Sequence, residues 1–337
     1  ITIMWRVCMV YQGEMPHYAH KVFGDSVNCE YEHFEGGEVG ERGINRIIKR
    51  VGTGLRLPKG YEIMIAEGSS VLQTLLVYNN LKDRRARSVF LIADETFHTL
   101  NQRKTKYLWK MIKPIANRTI EGCISVSNLA YQWCEPHIGS LPYEIVHPPI
   151  ENEKYKPLSK LKSRSDQDEF IVVSVGNARP SKNYHQLCKS FDRFRESIDQ
   201  NARLILVGSD HEEESYAGRN GIETPGKIPV KELVQVLDKS SIYIQPSKAD
   251  AFPVASLEAM LSATPTIVTD QVGTKELVPE DQVISIAEDG IYNCMEKFYN
   301  MEEKERIERG EEHRQHVLNL TEKNQAKEFR NAMERLL

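Results

Sequence analysis

Short runs of β-branched and aliphatic residues alternate with stretches of helical period along most of the chain, and few folds accommodate that alternation. In the first half the strand-like runs are Ile3 to Val10, Glu62 to Ala66, Ser88 to Ala93, Gly122 to Ser127 and Tyr143 to Val146. The pattern restarts with Phe170 to Val175, Arg203 to Val207, Ser241 to Ile244 and Pro265 to Thr269. This order predicts α/β domains with parallel, doubly wound sheets, because parallel neighbours need a crossover long enough to hold a helix. Between the two sets, Pro148-Pro149 opens a Lys-, Ser- and Asp-rich stretch over 151–169 that reads as a linker. A chain of 337 residues, at about 150 per domain, also divides into two. The expected organisation is a first domain over 1–150, the linker, a second domain over 170–320 and a terminal helix over 321–337. That helix carries Ala326, Phe329, Met333 and Leu336 on one stripe, a packing face.

Composition removes several function classes. Apolar residues make up 40% and charged residues 27%, which suits a packed soluble domain and not a disordered chain. No run of about 18 apolar residues occurs and no leader pattern stands at the N-terminus, so the expectation is a cytoplasmic protein without a membrane span. Cys8, Cys29, Cys123, Cys134, Cys188 and Cys294 are scattered with no Cys-x-x-Cys pair, which disfavours a zinc knuckle or disulfide framework. Residues 1–150 carry 18 Lys and Arg against 15 Asp and Glu, leaving 26 against 33 for the rest. That distribution excludes a nucleic-acid binder built on a basic stripe, while the mildly basic first half invites attraction to an anionic surface.

In open α/β sheets ligands bind beyond the carboxyl ends of the strands, so chemistry is sought just after each one. The richest such stretch runs from Gln245 to Met260. Pro253 suits a first helical turn, whose amides and dipole can receive a phosphate. Along that helix Val254, Leu257 and Leu261 fall on one stripe and Ala255, Glu258 and Ser262 on another, so Glu258 is expected to point away from the core. A second stretch, Val172 to Asn183, couples a buried strand to a turn holding Gly176, Asn177, Arg179 and Lys182.

The two stretches together resemble glycosyltransferase family 4. Asp250 and Glu258 match the family's two carboxylates separated by seven residues, and Leu257-Glu258-Ala259-Met260 closes the motif. The resemblance implies that Asp250 bonds hydroxyls of the donor sugar and Glu258 the ribose hydroxyls, a task for which carboxylate oxygens are apt acceptors. It also implies that Lys182 and Arg179 grip the diphosphate and stabilise it as it leaves. The family arginine follows the glycine directly; here Asn177 holds that place, and Arg179 is assigned the role. Phe252, Pro253, Val254 and Ala255 join the donor side, as do Gly208 and Ser209 after the next strand and Lys227 and Ile228 before a helix. Thr269 to Leu277 resembles the loop that closes the donor site.

The resemblance is strong over about 170–280 and implies a GT-B fold, two Rossmann-like domains facing a central cleft, with the terminal helix returning to the first. It implies a retaining, metal-independent hexosyltransferase that takes a UDP- or GDP-sugar as co-substrate, needs no cofactor and acts on a saccharide or lipid-linked acceptor. Two rivals share the fold: a sugar-nucleotide epimerase or hydrolase, and a catalytically weak nucleotide-sugar-binding protein. The acceptor side is expected in the first domain. Many family members place a histidine after an earlier strand there, where this chain reads Ala93-Asp94-Glu95-Thr96-Phe97-His98. Asp94, Glu95 and His98 are acceptor-side candidates, with a helix cap at Asp94 and a surface His98 as the plainer alternatives. Gly13, between Gln12 and Glu14, belongs to the first loop.

Two other clusters read as structural. Asp166-Gln167-Asp168 matches the Asp-x-Asp of metal-using glycosyltransferases but lies in the polar linker, and His211-Glu212-Glu213-Glu214 reads as a solvated loop, so no metal is expected. No Gly-x-Gly-x-x-Gly follows a candidate first strand, which disfavours a dehydrogenase. Ile44 to Val51 and Arg103 to Lys113 mix basic with apolar or aromatic residues at helical spacing, as helices at an anionic membrane surface do. Peripheral attachment to the inner face of a membrane is the corresponding expectation.

Overall fold

The computed structural model describes residues 5–13, 15–33, 44–100, 106–150, 152–161 and 169–337. Glu14, Asp166 to Asp168, Arg103, Lys104 and the first residues of the Ile3 to Val10 run lie outside the described residues. The chain forms two units, Ile1–Pro149 with Glu322–Leu337, and Ile150–Thr321.

The first unit is a sheet of β1 (Val7–Tyr11), β2 (Glu30–His33), β3 (Ile63–Glu67), β4 (Arg87–Ile92), β5 (Gly122–Ser125) and β6 (Tyr143–Ile145). Their spatial order is β2-β1-β3-β4-β5-β6, with every pairing parallel. Val7, Met9, Ile63, Ile65, Val89, Leu91 and Ile124 fill the core from the sheet. The helix Glu322–Leu336 completes it: Phe329 stacks on Phe23 at 4.9 Å between ring centroids, and Ala332 and Met333 are buried beside it. Burial of aromatic rings of this size contributes several kcal/mol, which fastens the last turns of the chain to its first helix, Tyr18–Ser26.

The second unit holds β7 (Ile171–Val175), β8 (Arg203–Val207), β9 (Ile222–Gly226), β10 (Ile242–Gln245), β11 (Thr266–Thr269) and β12 (Val283–Ile284). Their order is β12-β11-β10-β7-β8-β9, again all parallel. This is the doubly wound arrangement in which the winding direction reverses between the first and fourth strands, here β7 and β10. The architecture is therefore two parallel α/β sheets.

β2, β9 and β12 are absent from the sequence reading, and each sits at or beside a sheet rim. An edge strand has one paired side and a partly wetted face, so Glu30-Tyr31-Glu32-His33 and Ile222-Glu223-Thr224-Pro225-Gly226 need no apolar run. The stretch after Pro149 also differs from a free linker. Ile150 donates its N–H to Leu320 at 2.8 Å, Asn152–Tyr155 and Leu158–Lys160 are helical, and Leu158 and Tyr155 are buried.

The helix Val254–Leu261 is clamped from behind by the helix Glu303–Leu318. The crossing works because Gly310 lies against the Ala263 carbonyl; a Cβ at 310 would overlap that oxygen. Ala263 itself takes a left-handed φ of 59°, and Arg314 Nε donates to the Leu261 carbonyl at 3.0 Å. Replacing Gly310 by alanine in an open helix gains up to about 1 kcal/mol of helix propensity. Here overlap opposes that gain, and Gly310→Ala is expected to lower stability by about 1 to 3 kcal/mol. Urea unfolding should show a lower midpoint at unchanged slope; a higher midpoint would mean that the helices do not cross this closely.

Candidate functional site

The loops that leave β7, β8 and β10 emerge on one edge of the second sheet and are tied together by backbone bonds. Gly176 donates its N–H to Val207 at 2.8 Å, Ala178 to Ser209 at 3.0 Å, and Gly208 to Gly226 at 3.0 Å. Gly176 and Gly208 have φ of 151° and 148°, a region that L side chains rarely adopt. A Cβ on Gly208 would overlap the Gly176 carbonyl, so the two loops touch backbone to backbone.

Residues after β7 form a tight turn. Arg179 donates its N–H to Asn177 at 2.8 Å, Lys182 to Arg179 at 2.8 Å, and Pro180–Lys182 is a single 3-10 turn. Asn183 follows with φ of 61° and leads into the helix Tyr184–Ser197. The Ser181 carbonyl accepts from Lys248 N at 2.7 Å, joining this turn to the loop after β10. Across that junction Lys182 Nζ makes an ion pair with Asp250 Oδ2, their side chains 23% and 15% exposed. Two residues 68 positions apart are thus in direct contact. The Asp250 backbone is held from the other side, since its N–H donates to Gln271 and its carbonyl accepts from Gly273. Arg179 and Asn177 are exposed, as is Lys227 beyond β9; Ile228 and Ser209 are half-buried.

The helix after β10 runs from Val254 to Leu261, with Pro253 at its N-cap, one residue earlier than the first-turn place expected of it. Phe252 and Pro253 are buried, whereas Val254 and Ala255 in the first turn are half-buried. First-turn amides have no intrahelical acceptor, so this end carries donors and a partial positive charge. Glu258 corrects the amphipathic reading. The helix is packed all round past its first turn, and Glu258 is buried with Leu257 and Met260. Burial raises its carboxyl above the usual carboxylate range, while a hydrogen bond from Tyr155 and the charge of Lys154 act in the opposite direction. Tyr155 comes from the segment expected to be a linker.

The structure brings Gly176, Lys182, Gly208 and Asp250 together within the second unit; the acceptor-side candidates belong to the first unit. Gly13 follows β1 with φ of 110°. Asp94 is a cap: Oδ2 accepts from Ser69 N at 2.8 Å and Oδ1 from Thr96 N at 2.9 Å. Glu95 is half-buried, and His98 lies edge-on to Trp133 at 4.9 Å between centroids. The reversal of winding in this unit falls between β1 and β3. There Glu67, at the end of β3, pairs with His20 Nδ1, with His17 beside it at 5.2 Å between rings. Sequence reading missed this pair because neither residue stands in a motif; the signal is positional and needs the strand order. Among the described residues no group of three or more His, Cys, Asp or Glu is arranged to hold a metal ion.

Comparison with known proteins finds a family match that lies inside the second unit. Residues 156–313 match the family model described as Glycosyl transferases group 1. Two curated relatives are similar over part of their length. The sulfoquinovosyl transferase SQD2 of Arabidopsis thaliana is 23% identical over 143 residues, 40% of this chain and 27% of that protein. The capsular polysaccharide biosynthesis glycosyltransferase CapM of Staphylococcus aureus is 25% identical over 134 residues, 38% of this chain and 35% of that protein. The matched segments therefore span about a quarter to a third of those relatives. Among solved structures, Anabaena HepE in complex with UDP and glucose superposes with a TM-score of 0.71 at 14% identity, covering 98% of this chain and 100% of that one. The fold is thus the GT-B fold, and residues 156–313 are similar to the glycosyl transferases group 1 family, whose model covers less than half of the chain.

Proposed function

We propose that the chain is a retaining, metal-independent glycosyltransferase that moves a sugar from a nucleotide-sugar donor to an acceptor hydroxyl. The observation that carries this reading is the Lys182–Asp250 pair, set beside the first turn of the Val254–Leu261 helix at the point where the second sheet reverses its winding. A cation, a carboxylate and oriented amides together match the diphosphate and the hydroxyls of a nucleotide sugar. The donor is a UDP- or GDP-sugar. HepE, whose fold this chain shares, has been captured with UDP, which favours testing uridine nucleotides first.

In this reading the C–O bond between the anomeric carbon and the diphosphate breaks, and its electron pair leaves with the nucleoside diphosphate. Lys182 and Arg179 stabilise the charge that accumulates there. The acceptor hydroxyl oxygen forms the new bond to the anomeric carbon on the same face, and its proton passes to a phosphate oxygen of the leaving group. Asp250 orients the sugar by accepting from its hydroxyls, and Glu258 the nucleotide by accepting from its ribose. The acceptor, a saccharide or a lipid-linked one, is assigned to the first unit.

A membrane surface is the second partner of the proposal. The helix Lys106–Thr119 buries Trp109 and Ala116 but leaves Tyr107, Met111 and Ile115 exposed four residues apart, with Lys110, Lys113 and Arg118 also exposed. That combination fits an interfacial helix, apolar side chains entering the headgroup boundary and basic ones meeting anionic lipid. No described helix is long and apolar enough to cross a membrane.

Three measurements test the proposal. Lys182→Ala is expected to weaken nucleoside diphosphate binding by about 1.5 to 3 kcal/mol in calorimetry, as loss of a charge-assisted bond does; wild-type affinity would move the phosphate site elsewhere.

Glu258→Gln should act in two directions. With its folded pKa raised, Glu258 contributes stability that is complete below the unfolded value of 4.5 and is lost as pH rises through the folded value. The amide removes that loss, so the variant should melt above wild type at about pH 8, with the gap closing towards about pH 4. Its affinity for a ribonucleotide should fall more than for the 2′-deoxy analogue; equal losses would leave Glu258 a structural role only.

In flotation, vesicles rich in anionic lipid should carry the protein at low salt and release it at high salt, each basic residue at the surface contributing about 1 kcal/mol. Failure to float at low salt would point to a soluble acceptor.

A further inference from the structure

We propose that His211 is a positioning residue for the diphosphate-binding turn: it holds the Gly176 carbonyl and thereby aims the Asn177 amide and steadies the space beside Lys182. This rests on the donor reading of that turn. His211 is fully buried, unlike Glu212 and Glu213 beside it, so the run expected to be a solvated loop has one member turned inward.

Both ring nitrogens are engaged. Nε2 lies 2.8 Å from the Gly176 carbonyl and Nδ1 2.8 Å from the Tyr216 hydroxyl. A carbonyl only accepts, so Nε2 carries the proton and Nδ1 accepts from Tyr216. That defines one neutral tautomer. Burial lowers the pKa of His211 and keeps it in this form, although the Gly176 bond, Glu212, Glu214 and Asp210 pull the other way. The ring has little freedom to turn. Tyr184 meets it edge-on at 4.6 Å, and Tyr216 is itself flanked by His185, which pairs with Glu214 at 2.9 Å.

The peptide between Gly176 and Asn177 is planar and trans, so its C=O and N–H point in opposite directions. Fixing the carbonyl on His211 therefore sends the Asn177 N–H to the other side, where Asn177 is exposed. Gly208 closes the remaining space around that carbonyl. Lys182 Cε passes 3.9 Å from the position a Cβ on Gly176 would take, so the lysine stem runs alongside this glycine. The amide of the turn that carries Lys182 is thus set by a histidine that need not touch the ligand.

The test compares wild type with His211→Phe, which keeps a ring without the donor, and His211→Gln, which restores an N–H. UDP and GDP serve as probes in calorimetry, and amide hydrogen exchange of residues 176–179 is followed in the free proteins. His211→Phe is expected to lose about tenfold in nucleoside diphosphate affinity and His211→Gln no more than about threefold, with faster exchange only in the Phe variant. Equal losses in the two variants, or wild-type affinity in His211→Phe, would overturn the proposal. If wild type binds neither UDP nor GDP the donor reading fails instead, and exchange alone decides: unchanged protection in His211→Phe counts against positioning, faster exchange for it. Should His211→Phe not fold, Tyr216→Phe takes its place, with an expected loss of about threefold and wild-type affinity counting against the proposal.

Discussion

Parallel pairing of every strand is the constraint on which the rest of the protein depends. In both sheets each ladder is parallel, so all strands of a sheet deliver their carboxyl ends to the same edge. Parallel strands also need helical crossovers, which cover both faces and leave the interior apolar. Polar chemistry is thereby excluded from the faces and gathered at the edge. In the second unit the winding reverses between β7 and β10, and the loops leaving those strands carry Lys182 and Asp250.

Gathering charged and polar groups at one edge has a price in desolvation, and the protein offsets it locally. Lys182 and Asp250 neutralise each other across two loops; Glu258 is stabilised by Tyr155 and Lys154; His211 satisfies both of its nitrogens. None of these arrangements could hold if the loops were loose. Gly176 and Gly208 in backbone contact, and Gly310 against Ala263 behind the Val254–Leu261 helix, give the rigidity. Glycine is needed at 208 and 310 because a side chain would occupy space that a carbonyl already fills, and at 176 because φ is 151° and a Cβ would press on the Tyr184 hydroxyl.

The central strands were legible in the sequence. Val172 to Ser174, Leu204 to Val207 and Val89 to Ile92 are buried on both faces and so are almost wholly apolar, the one hydroxyl, on Ser174, donating to the Ile244 carbonyl. The rims were not, because β2, β9 and β12 are under no such demand. The motif residues were legible as a set: the turn after β7 and the segment around Asp250 stand where chain order and strand pattern put them. Their environments were not. Periodicity gave Glu258 an outward face, since a helical wheel sees one helix at a time. The helix Glu303–Leu318 and the segment around Tyr155 arrive from elsewhere in the chain and cover that face.

The sequence by itself determined the α/β class, the repetition of a parallel-sheet pattern in two halves, and the residue types gathered after β7 and β10. Those depend on local period and on motif spacing, which short stretches of chain carry. Tertiary structure alone decided that Lys182 meets Asp250 across 68 residues, that Asp94 is spent as a cap for Ser69 and Thr96, and that His211 turns inward to Gly176. Each is a contact between loops whose partners are chosen by strand order, and strand order is set by how all the helices pack against the sheet at once.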